Sequence, residues 1–124
     1  MDVAALMQRS TSILGDAEAQ AYAAPFPDMN YKAGVRRFPD LVPEFPDSPG
    51  AALSREAREW WQNEWQGKSL MFTGIEDPVL GKPAMDYLHR FIRNCPPPIE
   101  LPEAGHFVQE WGESIAAQGV AELA

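Results

Sequence analysis

The chain has 124 residues, 45% of them hydrophobic and 23% charged, with a formal net charge of −8. That is enough for one small domain or part of one, at a composition close to the soluble globular average. No apolar run reaches the ~18 residues that a bilayer span needs. The few basic residues are scattered rather than grouped to meet phosphates, so neither membrane nor nucleic acid is expected as a partner.

Residues Met1 to Gly15 carry no basic start, apolar core and small-residue cleavage pattern, which points away from secretion and toward the cytoplasm. The single cysteine, Cys95, excludes an internal disulfide. The two histidines, His89 and His106, lack the paired spacing of a zinc helix, so no metal and no cofactor is expected.

From the N-terminus, Val3, Leu6, Met7, Ile13 and Leu14 recur at helical spacing, which predicts a helix over Asp2 to Leu14 with Gly15 as its C-cap. A second short helix is predicted from Asp16. Ala24-Pro25-Phe26-Pro27-Asp28 cannot continue it, because each proline lacks an amide donor and restricts the residue before it. A brief helix over Met29 to Arg37, ended by Phe38-Pro39, and a loop from Leu41 to Gly50 follow.

Ser54 is the expected N-cap of a helix through Trp65, stopped by Gly67. Trp60, Trp61 and Trp65 fall within it, where aromatic packing is the simplest role. Leu70 to Ile75 is a short apolar run of the kind that forms a strand buried on both faces, and Asp77 follows its carboxyl end. Pro83 suits the first turn of a helix carrying Met85, Leu88, Phe91 and Ile92 on one face, with His89 on its polar surface, and Pro96-Pro97-Pro98 forbids its extension. Ile99-Glu100-Leu101 is a second strand, His106 comes just after it, and a last helix over about Val108 to Leu123 is weakened by Gly112 and Gly119.

The half after Gly50 therefore alternates helix and strand, the pattern of an α/β protein with a parallel sheet. Two strands fall short of such a sheet, so the chain reads as the end of a larger domain. Chemistry in open α/β sheets collects at the carboxyl ends of strands, where Asp77 and His106 both fall, 29 residues apart. Adjacent strands lie about 4.8 Å apart, so their side chains can reach one another. Spacing alone leaves the ordinary alternative open, an aspartate forming a turn before proline and a histidine capping a helix.

Thr73-Gly74-Ile75-Glu76-Asp77-Pro78-Val79-Leu80-Gly81 resembles the acid loop of α/β-hydrolases, and Glu103-Ala104-Gly105-His106-Phe107-Val108-Gln109-Glu110 resembles their histidine loop. Within that superfamily the chain is similar to haloalkane dehalogenases. Ala21 to Asp28 and Ala33 to Pro39 resemble the end of that family's cap, and Trp61-Gln62-Asn63-Glu64-Trp65 and Cys95-Pro96 agree as well. The resemblance implies the C-terminal part of an α/β-hydrolase fold, its last parallel strands and helices, preceded by a helical cap remnant: residues 1–49 as the end of the cap and 50–124 as the end of the main domain.

The same resemblance implies a catalytic pair, His106 as base and Asp77 as its acidic partner. In that family an aspartate displaces halide from carbon, and the ester formed is hydrolysed by water that the histidine activates. Phe38, Pro39, Val42, Val79, Leu80 and Phe107 match positions that line the substrate pocket, an apolar lining suited to a small halogenated alkane. No tryptophan of this chain matches the halide-binding positions.

No nucleophile elbow, a nucleophile flanked by small residues between a strand and a helix, occurs in the sequence. The family's nucleophile lies upstream of the matched region, so the chain is expected to begin inside the cap. Its expected partners are then a haloalkane, water and the missing N-terminal half, without which it is expected to be inactive. The alternatives are an epoxide hydrolase fragment, which uses the same aspartate and histidine chemistry, and a non-catalytic remnant or interaction module.

Overall fold

A computed structural model describes all 124 residues, Met1 to Ala124. They form two compact units, Met1–Ala57 and Arg58–Ala124.

In the first unit, helix α1 (Val3–Ser10) is capped by Asp2, whose carboxylate accepts from the Ala5 amide at 3.1 Å. It is shorter than its apolar pattern predicts. Thr11 turns extended at the C-cap, as the hydroxyl and β-branched residues from Ser10 to Ile13 favour. Leu14 is still buried, reached by the turn, whereas Ile13 is exposed. Gly15 caps the start of α2 (Asp16–Ala23) rather than the end of α1. The two helices pack together, burying Val3, Ala4, Met7, Leu14 and Ala19, and each large apolar side chain so buried contributes on the order of 2 kcal/mol.

The proline segment is a turn region, in which the Asp28 carboxylate accepts from the Asn30 amide at 2.8 Å. Helix α3 covers only Ala33–Arg37 of the expected Met29 to Arg37, and Pro39–Leu41 adds one 3₁₀ turn. Helix α4 (Ala51–Asn63) starts three residues before the expected cap at Ser54. Gly50 takes φ +86°, a left-handed conformation open to glycine, and its carbonyl accepts from the Ser54 amide, so the helix is set by the turn and not by the serine side chain.

In the second unit, the rings of Trp60, Trp61 and Trp65 pack on one another with centroids 4.9 to 5.5 Å apart. The Trp65 indole N–H donates to Ser69 Oγ at 2.8 Å. Strands β1 (Phe72–Gly74) and β2 (Ile99–Leu101) form a two-stranded parallel sheet, with Phe72 opposite Ile99 and Gly74 opposite Leu101. The connection between them runs through α5 (Lys82–His89). The burial on both faces expected for Leu70 to Ile75 holds at Thr73 and Gly74, in a strand shorter than that run, and on β2 Glu100 is exposed and meets Lys82 at 2.8 Å. The Thr73 side chain is buried, and its hydroxyl has no hydrogen-bond partner.

Helix α5 ends at His89, so Phe91 and Ile92 lie in the turns beyond it. His89 is not a free surface residue: its Nε2 lies 2.9 Å from the Cys95 carbonyl, so the ring ties the end of α5 to the proline stretch. The last segment is a 3₁₀ turn, Val108–Trp111, followed by α6 (Gly112–Leu123). No helix is long and apolar enough to cross a membrane.

Candidate functional site

Parallel pairing sets β1 and β2 side by side with their carboxyl ends together, and each strand leads into a loop. Beyond Gly74 the chain stays joined to the neighbouring loop. The Ile75 amide donates to the Leu101 carbonyl at 3.1 Å, and the Glu76 amide donates to the Ala104 carbonyl at 3.0 Å. Ala104 is fully buried at this junction. Asp77 and His106 are thus each delivered a few residues past a hydrogen-bonded backbone seam.

There the His106 Nδ1 lies 3.0 Å from Asp77 Oδ2 and 3.1 Å from Oδ1. Both distances lie within hydrogen-bonding range. The Asp77 side chain is 7% exposed and the imidazole 33%, so the carboxylate sits behind the ring and the ring faces outward. Asp77 Oδ1 also accepts from the amides of Val79 at 2.8 Å and Leu80 at 3.0 Å. This is the aspartate turn that an Asp-Pro start favours.

Burial of the Asp77 carboxylate raises its pKa, but the amides of Val79 and Leu80 and the adjacent His106 outweigh that effect. The net direction is below the ordinary 3.8. Asp77 is therefore an anion at neutral pH, an acceptor only, and the shared hydrogen on the pair belongs to Nδ1. In the neutral ring the lone pair then lies on Nε2, free to take a proton from a bound molecule.

Of the expected pocket residues, Phe107 packs edge-on against the His106 ring at 5.2 Å. Val79 and Leu80, 66% and 54% exposed, sit on the turn that Asp77 holds. Phe38, Pro39 and Val42 belong to the first unit. There Pro39 and Val42 line a surface cavity of about 410 Å³ with Arg37, Asp40 and Phe45, and Phe38 is exposed. The aspartate turn and the pairing with His106, alternatives in the sequence, coexist in Asp77, while the contact of His89 with Cys95 depends on where α5 stops and has no local sequence signal.

No family model matches the chain. It is 38% identical over 91 residues to a haloalkane dehalogenase of Mycobacterium marinum, an alignment covering 72% of this chain and 30% of that protein. It is 36% identical over 115 residues to a haloalkane dehalogenase of Psychrobacter cryohalolentis, covering 83% of this chain and 34% of that one. Among solved structures, the tetrameric haloalkane dehalogenase DpaA of Paraglaciecola agarilytica superposes with a TM-score of 0.92 at 43% identity, over 98% of this chain and 41% of that chain. The chain thus spans about a third of the length of the relatives that it matches.

Proposed function

Because this chain is related over most of its length to haloalkane dehalogenases, we propose that it supplies the acid and the base of a hydrolase that cleaves carbon–halogen bonds in small haloalkanes. The observation that carries this reading is the contact between His106 Nδ1 and the buried Asp77 carboxylate, which leaves Nε2 as the basic nitrogen. In the proposed reaction an aspartate supplied by an N-terminal half attacks the halogen-bearing carbon, and halide departs. Water then adds to the carbonyl of the resulting ester while His106 Nε2 takes its proton. The alcohol leaves and the aspartate is regenerated. Asp77 holds the tautomer and stabilises the imidazolium.

Phe38, Pro39, Val42, Val79, Leu80 and Phe107 are proposed as apolar lining for the alkane. Residues 1–49 are read as the end of a cap and 50–124 as the end of the main domain. The exposure of Trp60, Trp61, Val79 and Leu80 supports a partner half that covers apolar surface of the second unit.

The test mixes the purified chain with the N-terminal half of a homologous dehalogenase and follows halide release from 1,2-dichloroethane. The expected result is release by the mixture, none by either part, and loss of release with His106→Gln. Release by this chain alone, or release by the mixture that His106→Gln leaves intact, would overturn the proposal.

A further inference from the structure

We propose that Gly74 and Gly81 are positioning residues that set the geometry of the Asp77–His106 pair by admitting backbone where any side chain would intrude. The inference rests on reading Asp77 and His106 as acid and base, and it adds two residues that act through them.

Gly74 ends β1 and Gly81 caps α5, so together they bound the loop that carries Asp77. A Cβ on Gly74 would lie 2.6 Å from the Ala104 carbonyl oxygen and 2.7 Å from that of Gly105, where real Cβ atoms essentially never come under 3.0 Å. A Cβ on Gly81 would run into the carbonyl oxygen of Asp77 itself and would lie 3.7 Å from that of Gly74, so the two ends of the loop nearly meet.

Neither position needs glycine for its conformation. Gly81 has φ −66°, and Gly74 is not among the residues with positive φ. Space alone selects it, and the obstructing atoms are backbone rather than the flexible end of a side chain. They are also committed. The Ala104 carbonyl holds the Glu76 amide, and Gly105 directly precedes His106. A methyl at residue 74 therefore pushes the acid loop and the histidine loop apart, and a methyl at residue 81 shifts the backbone of Asp77. Hydrogen bonds at 3.0 to 3.1 Å weaken steeply under such displacements.

The two histidines make the test specific. His106 faces its carboxylate through Nδ1, whereas His89 meets the Cys95 carbonyl through Nε2, so the two rings are expected as opposite tautomers with separable imidazole nitrogen signals. Nitrogen-15 spectra of the intact chain at neutral pH are compared with those of Gly74→Ala, Gly81→Ala and Asp77→Asn.

In each glycine variant His106 is expected to lose its low-field Nδ1 proton signal and to move toward a mixture of tautomers while His89 stays in place. A folded Gly74→Ala or Gly81→Ala chain with the His106 spectrum of the original overturns the inference. If Gly74→Ala does not fold, Gly81→Ala decides, since its Cβ strikes the acid loop and not the junction of the strands. The reading beneath is checked separately: a His106 spectrum unmoved by Asp77→Asn would remove the acid–base pair, whereas movement there without movement in the glycine variants would remove only the role of the glycines.

Discussion

Replacing Asp77 by alanine or by asparagine separates two things that one carboxylate does. Alanine removes the acceptor for the amides of Val79 and Leu80 and the partner of His106. Asparagine keeps an oxygen where Oδ1 stands, so the turn survives, but it presents an amide donor to the imidazole. The turn residues Val79 and Leu80 are 66% and 54% exposed, so water replaces part of what the amides lose. That exposure brings each bond below the usual range for a charged acceptor, to about 0.5 to 1 kcal/mol. With the imidazole contact included, Asp77→Ala is expected to cost about 2 kcal/mol and Asp77→Asn about half of that.

At about 4 °C per kcal/mol for a domain of this size, the expected falls in Tm are about 8 °C and about 4 °C. All four tryptophans, Trp60, Trp61, Trp65 and Trp111, lie in the second unit, so their fluorescence follows the unit that holds the site. Equal losses for the two variants would show that the aspartate turn contributes nothing to stability, and the reasoning from Val79 and Leu80 would fall.

Acid should weaken the second unit through the same residue. The native Asp77 pKa lies below 3.8, so the unfolded chain binds the proton more readily, and the stabilisation is full above about pH 5 and is lost as pH falls past 3.8 and through the lower native value. Urea melts across this range should show a slope that Asp77→Asn flattens, and an unchanged slope would contradict the assignment. Thr73→Val should raise stability by about 1 kcal/mol, since it removes a buried hydroxyl with no partner and keeps a β-branched shape on β1. A fall in the tryptophan-monitored Tm of that variant would count against the packing described for Thr73.

The short strands were legible because their signals were local. Ile99 to Leu101 is enclosed by Pro98 and Pro102, and Phe72 to Gly74 lies within a short apolar run with turn signals on each side. The approach of Asp77 to His106 follows from two strands pointing the same way, a matter of topology that helix and strand alternation conveys. Helix ends were less legible. The apolar spacing continues past Ser10 to Leu14, yet hydroxyl and β-branched residues turn the backbone there, and Leu14 is buried by a loop. Ser54 looked like a cap because its residue type suits one, while the turn at Pro49-Gly50 had already started the helix. The crowding at Gly74 could not be read at all, because it depends on the carbonyl groups of Ala104 and Gly105, far along the chain.

The parallel pairing of β1 with β2 also has a kinetic side. Phe72 meets Ile99 only after the intervening chain has closed on itself, and the entropy lost in that closure precedes any return from the strand contacts. Helix α5 shortens the gap when it forms, since its residues rise only about 1.5 Å each. The meeting of carboxylate and imidazole depends on the strands being paired. Their shared proton is therefore a clock for the second unit, a signal that is absent while the helix alone has formed and appears when the strands dock.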